Sequence, residues 1–146
     1  MLSGISPVLV GDLLAALDHL GHGDELVVAD ANFPSRRLAR NLVETPGLAA
    51  ADVVAAIRTV VPLDGYDGES VLLMAAEGGE TTPVQRDLVA AAEATVERIG
   101  ELERHAFYER AARAGLVVRT GELRPYGNLI LRKGVVNEYT PREAAR

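Results

Sequence analysis

The sequence contains no cysteine, and aromatic residues make up only 4% of its 146 residues. Without cysteine, the chain cannot form disulfide frameworks, thiolate zinc sites, iron–sulfur clusters or cysteine nucleophiles. The scarcity of aromatic residues means that the core must be packed mainly from aliphatic side chains. Any chemistry that this chain performs therefore uses oxygen and nitrogen groups.

Basic residues and long apolar runs are also scarce. Acidic residues number 21 and basic residues 15, and the net charge of −6 with no basic cluster disfavours a nucleic-acid partner. No apolar run approaches the roughly 18 residues of a membrane span, and the first residues do not resemble a signal peptide. We therefore expect a cytoplasmic globular protein with no nucleic-acid or membrane partner.

Helical and strand-like segments alternate along the chain. The predicted helices cover residues 6–21 with Ser6 as N-cap before Pro7, 48–61, 82–99 with a capping box at Thr82, and 106–114 with Gly115 as C-cap. The predicted strands are residues 25–30, 70–76, 116–120 and 129–132. Residues 100–110 fit either a continuing helix or a short strand before a new helix, and Gly100 favours a break. The alternation predicts a layered α/β fold in one domain, residues 1–146, with a polar tail after about residue 135.

His22 is the histidine whose surroundings most favour proton transfer. It lies in the glycine-flanked segment Gly21–Asp24, directly before a predicted strand that ends at Asp30. An imidazole with an ordinary pKa, near 6.5, can exchange protons in both directions at neutral pH. The same segment also fits a helix end whose turn leaves His22 in solvent, and the spacing favours neither. His19 and His105 are more simply explained as solvent-facing histidines.

Metal and nucleotide sites have little support. His19, His22 and Asp24 span a helix end rather than one turn, and no second cluster of ligands accompanies them. The glycines around His22 lack the third glycine of a dinucleotide fingerprint and precede a strand instead of following one. We therefore expect no metal and no cofactor.

Two other segments carry groups suited to a polar ligand. Asp30 ends a predicted strand, where α/β folds form clefts, although an aspartate there also serves as a turn cap. Tyr126, Gly127 and Asn128 provide a phenol, a backbone open to close approach, and an amide that both donates and accepts hydrogen bonds. Sugar hydroxyls need such adjacent donors and acceptors, but a turn directed by Pro125 is the simpler explanation from sequence alone.

Several short motifs follow one another along the chain. They are Ser6-Pro7, Gly21-His22-Gly23-Asp24, Asp30-Ala31-Asn32-Phe33-Pro34, Met74-Ala75-Ala76, Arg104-His105-Ala106-Phe107-Tyr108-Glu109-Arg110, Thr120-Gly121-Glu122 and Tyr126-Gly127-Asn128. In this order and spacing, over about residues 1–135, they resemble the ribose pyranase and fucose mutarotase family. The run from Phe107 to Ala111 is more similar to the fucose mutarotase branch.

This resemblance implies a three-layer α/β/α sandwich and a ring-like homo-oligomer, commonly a decamer, whose active sites are completed across subunit contacts. It implies that His22 is the proton donor. By matching position, it implies that a monosaccharide is bound by Asp30, Arg104, Tyr126, Gly127 and Asn128. Asp24 is a further candidate, for orienting His22. Asn32 replaces a histidine of the fucose-type enzymes, so the sugar preference stays open.

We therefore expect a sugar mutarotase, similar to L-fucose mutarotases, that interconverts α and β anomers by acid/base opening of the cyclic hemiacetal. A D-ribose pyranase, which interconverts pyran and furan forms, is the nearest alternative. A monosaccharide-binding protein without catalysis would use the same polar residues, and a purely structural ring-forming protein would bind no sugar.

Overall fold

The computed structural model describes residues 1–139 and shows a six-stranded sheet between helices. The helices are α1 Gly11–Asp18, α2 Ser35–Leu38, α3 Ala50–Arg58, α4 Pro83–Ala92 and α5 Arg104–Ala111. The strands are β1 Glu25–Ala29, β2 Leu42–Thr45, β3 Val71–Met74, β4 Ile99–Leu102, β5 Leu116–Thr120 and β6 Leu129–Arg132. No helix within residues 1–139 is long and apolar enough to cross a membrane.

The strand order across the sheet is β2-β5-β1-β6-β3-β4. β1, β5 and β2 pair in parallel, as do β3 and β4, whereas β6 pairs antiparallel with both β1 and β3. The other five strands therefore run in one direction, and β6 runs in the opposite one. As a result, the start of β6 lies at the same sheet edge as the carboxyl ends of its neighbours.

Two hydrophobic clusters cover the two faces of the sheet. Alternate residues of each strand point to opposite faces, so in β1 Leu26 and Val28 join one cluster and Val27 joins the other. The first cluster includes residues of α1, α3 and α4, and the second includes Phe107 of α5 and Phe33 of the loop after β1. The three-layer α/β/α arrangement is thus confirmed.

The predicted helices exist, but their bounds differ from the structure. Ser6 caps no helix: its hydroxyl accepts from the Val8 N–H and its carbonyl accepts from the Leu9 N–H, which closes a single turn before α1. The capping box at Thr82 is confirmed, but α4 stops at Ala92 because Glu93 adopts left-handed backbone angles. The 82–99 helix was therefore predicted too long.

Gly115 also has a different role from the predicted one. α5 begins at Arg104 and ends at Ala111, and Gly115 lies after it, with its N–H donating to the Glu25 carbonyl. A Cβ atom at Gly115 would lie 2.7 Å from the Leu20 Cδ2 atom. Gly115 is thus a point of close packing beside β1, not the helix cap.

The sequence pattern did not identify two strands, β2 and β4, which are the two outermost strands of the sheet. Each has partly exposed residues and pairs with one neighbour only, so neither shows the continuous apolar run of a central strand. β4 resolves the ambiguity over residues 100–110 as a strand followed by α5. In the predicted tail, Val136 and Tyr139 are exposed, and residues 140–146 lie outside the described part.

Candidate functional site

A cavity of about 260 Å³ opens at the edge of the sheet where β1 and β3 end and β6 begins. It is lined by Asp30, Asn32, Phe33, Met74, Arg104, Tyr108, Leu123, Pro125, Tyr126 and Asn128. Because β6 runs against its neighbours, residues from widely separated parts of the sequence meet here. The sequence-predicted residues Asp30, Arg104, Tyr126 and Asn128 thus line one pocket, which we call the edge pocket.

Asp30 and Asn128 form a reciprocal pair at the base of the edge pocket. The Asn128 Oδ1 atom accepts from the Asp30 N–H at 2.9 Å, and the Asn128 Nδ2 atom donates to Asp30 Oδ2 at 2.8 Å. The second carboxylate oxygen, Oδ1, accepts from the Asn32 N–H at 2.9 Å. Both side chains are buried, so these bonds fix their orientation. Each carboxylate oxygen still has a lone pair with which to accept from a ligand hydroxyl.

Arg104 and Tyr108 reach the edge pocket from successive turns of α5. The Glu103 carboxylate caps this helix by accepting from the N–H groups of His105 and Ala106, which places Arg104 at the first helical position. Within residues 1–139 the Arg104 guanidinium makes no hydrogen bond to the protein, so its donors are free for a ligand. Tyr108 packs its ring edge-to-face against Phe33, with ring centroids 5.4 Å apart.

Tyr126 and Gly127 form the turn that leads into β6. Tyr126 has a φ of 64°, in the left-handed region that non-glycine residues seldom adopt. Its side chain lines both the edge pocket and an adjoining cleft that also contacts Arg104 and Glu77. A Cβ atom at Gly127 would lie 2.8 Å from the Glu122 Cγ atom. Only glycine lets the turn approach Glu122 this closely.

His22 lies at the opposite edge of the sheet, before β1, and does not line the edge pocket. The length of β1 separates it from Asp30, and five residues of strand span roughly 16 Å. The His22 side chain is 51% exposed, with its ring edge-on to Tyr66 at a centroid distance of 5.6 Å. One chain therefore keeps the predicted proton donor and the predicted binding residues apart.

The carboxylate that contacts His22 belongs to Asp64, in the segment before β3. Asp64 Oδ1 lies 3.4 Å from His22 Nε2, and Asp64 Oδ2 lies 3.1 Å from Arg132 Nε. A hydrogen bond from the Tyr66 N–H, with the neighbouring imidazole and guanidinium, lowers the pKa of the Asp64 carboxyl despite its burial. Asp64 is therefore a buried, ionised carboxylate beside a partly exposed imidazole.

Asp24, the predicted orienting residue, has a different contact. Its Oδ2 atom accepts from the Gly21 N–H at 2.7 Å, which closes the loop that holds His22. Asp64 instead occupies the position beside the imidazole. The hydrogen bond of Asp24 thus goes to the loop backbone and not to the His22 imidazole, so it does not support the predicted orienting role. A sequence signal for Asp64 did exist: it precedes the apolar strand β3, which enters the sheet from the same edge as β1.

Met74, Phe33 and Tyr108 also line the edge pocket, although the residue patterns pointed to none of them individually. Each belongs to a motif in the family resemblance, but their apolar or aromatic character gave no chemical reason to single them out. His19 and His105 are exposed, as expected. Within residues 1–139, no group of three or more His, Asp or Glu side chains is arranged to hold a metal ion.

Comparison with known proteins agrees with the fold. The RbsD / FucU transport protein family matches residues 3–136. The structure of protein Atu2016, described as a candidate sugar binding protein, is 40% identical with a TM-score of 0.86, over 93% of this chain and 97% of that one. The fucose mutarotase from Streptococcus pneumoniae in complex with L-fucose is 37% identical with a TM-score of 0.85, over 92% of this chain and 99% of that one.

A third structure extends the similarity to ribose. RbsD from Bacillus subtilis, complexed with D-ribose, is 27% identical with a TM-score of 0.74, over 93% of this chain and 99% of that one. The similarities cover nearly all of the described chain, not one motif. The protein therefore belongs to the RbsD/FucU family.

Proposed function

We propose that this protein is a sugar mutarotase that interconverts the α and β anomers of L-fucose or a related aldose. The observation that carries this proposal is the edge pocket, where a buried carboxylate–amide pair, a phenol and a free guanidinium surround one small cavity. Such adjacent donors and acceptors suit the hydroxyls of a monosaccharide. The family relationship to a fucose mutarotase supports the same reading.

The reaction needs two proton transfers and no change of oxidation state. An acid protonates the ring oxygen while a base takes the proton of the anomeric hydroxyl, and the bond between C1 and the ring oxygen breaks to give the open aldehyde. Rotation about the C1–C2 bond exposes the other carbonyl face, and closure returns both protons. We assign the acid to His22, with Asp64 holding its imidazole.

Substrate binding is assigned to the edge pocket. Asp30 and Asn128 would hold hydroxyls through their remaining lone pairs and N–H group, and Arg104 would donate to a further hydroxyl. Tyr126, above Gly127, would contact the ring or the anomeric oxygen with its phenol. Since His22 lies at the other edge of the same chain, a second copy of the chain must supply it. We therefore propose a homo-oligomer, of the ring-like decameric type, with sites shared between subunits.

Saturation-transfer NMR of sugar anomers tests the proposed reaction. With L-fucose, we expect the wild-type protein to accelerate exchange between the two anomeric proton signals. His22→Gln should lower the rate by about 10²- to 10⁴-fold, the usual contribution of a positioned proton-transfer group. His19→Gln is the matched control, because His19 is an exposed histidine that neither lines the edge pocket nor contacts Asp64. Full exchange by the His22→Gln protein would contradict the assignment.

The same measurement separates the alternatives. Faster exchange between the pyran and furan signals of D-ribose would favour pyranase activity, which similarity to the ribose complex of RbsD supports as the second candidate. Binding of a sugar without faster exchange would identify a monosaccharide-binding protein without catalysis. Neither binding nor exchange with any aldose would contradict the proposed function as a whole.

A further inference from the structure

The turn that carries Tyr126 holds its backbone in an unfavourable conformation. A tyrosine at a φ of 64° is strained, because the left-handed region suits glycine and, to a lesser degree, asparagine. Proline followed by a residue of positive φ is the pattern of a type II turn, in which glycine is preferred at the second position. Here Pro125 is followed by tyrosine. Surrounding contacts must therefore hold Tyr126 in this conformation.

Glu122 and Arg124, just before the turn, are joined to each other by several hydrogen bonds. Arg124 Nε donates to Glu122 Oε1 at 2.9 Å, and Arg124 Nη2 donates to Glu122 Oε2 at 3.0 Å. The Arg124 backbone N–H also donates to Glu122 Oε1, at 3.1 Å. The two residues thus form a bidentate pair closed by a backbone hydrogen bond. We call Glu122 and Arg124 the turn clamp.

The turn clamp is anchored to three other parts of the fold. Arg124 Nη1 donates to Asp87 Oδ2 on α4 at 2.7 Å. The Ala31 N–H, next to Asp30, donates to the Glu122 carbonyl at 2.9 Å, and the Glu122 N–H donates to the Thr120 hydroxyl. The backbone at Gly127 lies directly on the Glu122 side chain. The clamp therefore connects the Tyr126 turn, the Asp30 loop and α4.

We propose that Glu122 and Arg124 are positioning residues that hold the Tyr126 phenol at the place where the sugar ring opens and closes. This proposal rests on the proposed mutarotase function and adds to it a device for geometric precision. Neither residue need touch the sugar. Their effect reaches the edge pocket through the backbone of the turn, and a displacement of about 1 Å in such a group can cost up to 100-fold in rate.

The charge of the clamp is stable over the working pH range. Hydrogen bonds from the Arg124 guanidinium lower the pKa of Glu122 to about 2, and the same contacts with Glu122 and Asp87 raise the pKa of Arg124. Both groups therefore stay ionised at neutral and moderately acidic pH.

Arg124→Met tests the proposal, since methionine keeps an unbranched apolar stem and removes the donors. We expect the anomer-exchange rate at saturating sugar to fall about tenfold, with a much smaller change in KM. Arg124→Lys, which retains the charge but loses the bidentate geometry, should recover part of the rate. Asp87→Asn, which weakens only the outer contact, should have a smaller effect. Arg86→Met is the matched control on α4 and should leave the rate unchanged.

A double variant separates positioning from general destabilisation. If Arg124 acts through Tyr126, Arg124→Met should add almost nothing to the effect of Tyr126→Ala. Equal losses with and without Tyr126 would overturn the proposal, as would an unchanged rate in the Arg124→Met protein.

Backbone NMR gives a readout that does not depend on activity. The one-bond Cα–Hα coupling and the intraresidue HN–Hα contact of Tyr126 report the sign of φ. We expect a positive φ in the wild-type protein and an averaged or negative one after Arg124→Met. A retained positive φ would overturn the clamp's role. A wild-type protein that exchanges no anomers would contradict the proposed function, while the φ measurement would still decide whether the pair holds the turn.

Discussion

The two edges of the sheet at which the strands begin and end carry different kinds of chemistry: the edge pocket lies at one and His22 at the other. The edge pocket contains Asp30 and Asn128, whose orientations are fixed by hydrogen bonds to each other, together with the guanidinium of Arg104. The opposite edge presents one partly exposed imidazole, that of His22, against the buried carboxylate of Asp64. The first edge is suited to bind a ligand and the second to deliver a proton. This separation is the reason for our proposal that a complete site combines one edge from each of two chains.

Mixing two inactive variants is the most severe test of this division. His22→Gln leaves the edge pocket intact, and Asn128→Ala leaves His22 intact. If sites are shared, co-assembled variants should regain activity in about a quarter of their sites for random pairing. The anomer-exchange rate is measured for each variant assembled alone and for the two assembled together. Arg104→Ala, at an exposed position, serves as a second pocket variant in place of Asn128→Ala. No recovery on co-assembly would contradict the proposal that sites are shared between chains.

Asp64→Asn should have an intermediate effect, confined to the His22 edge. An amide cannot replace the carboxylate beside His22 Nε2, and the partly buried Arg132 would lose its charged partner. We expect the exchange rate to fall about 10- to 100-fold, the range typical of removing a residue that orients a metal-binding histidine. The ¹⁵N shifts of the His22 ring, which report its tautomer, should also change. Sugar affinity should be nearly unaffected.

Asp24→Asn is the control for that experiment. Asp24 is exposed and bonds to the Gly21 N–H, an acceptor role that the asparagine oxygen can keep. A larger loss of rate from Asp24→Asn than from Asp64→Asn would restore Asp24 as the orienting residue. It would also show that the contact at 3.4 Å between Asp64 and His22 is unimportant for the reaction.

The smallest expected effect concerns the acid stability that Glu122 of the turn clamp provides. Glu122 has a pKa of about 2 in the folded protein against an ordinary value of 4.5. Its ionised form therefore stabilises the fold above pH 4.5, and this contribution is lost as the pH falls from 4.5 to about 2. Glu122→Gln should flatten the dependence of unfolding free energy on pH in this window, as measured by urea denaturation. Glu101→Gln, at an exposed position of β4, should leave the slope as it is.

Much of the fold follows from local patterns, and the failures have a physical cause. Central strands such as β1, β5 and β6 are buried on both faces, so their apolar runs identify them. The edge strands β2 and β4 are half exposed, and their pairing with a neighbour, which no local pattern records, stabilises them. Helix ends were also missed: the Ser6 hydroxyl closes a separate turn before α1, and Glu93 adopts the left-handed backbone angles that glycine usually takes at a helix end.

The candidate site was predictable in its residues but not in its arrangement. Asp30, Arg104, Tyr126 and Asn128 were identified from residue chemistry and from a family resemblance, and the structure brings them together. Asp64 was not identified, because it contacts His22 across 42 positions of sequence. The separation of His22 from the pocket follows from the direction of β1 in the sheet. The position of Asn128 beside Asp30 follows from the reversed direction of β6, which depends on how the whole sheet assembles.

The antiparallel pair of β1 and β6 has a consequence for spacing. β1 has His22 before its start and Asp30 after its end, while β6 has Asn128 before its start and Arg132 as its last residue. The two strands pair along the whole length of β6, from Glu25 opposite Arg132 to Val28 opposite Leu129. If sites are shared between chains as proposed, each chain would act as a rigid spacer of one strand length between two half-sites. In a ring of such chains, neighbouring sites would be spaced by this pair of strands, independently of the loops that form each site.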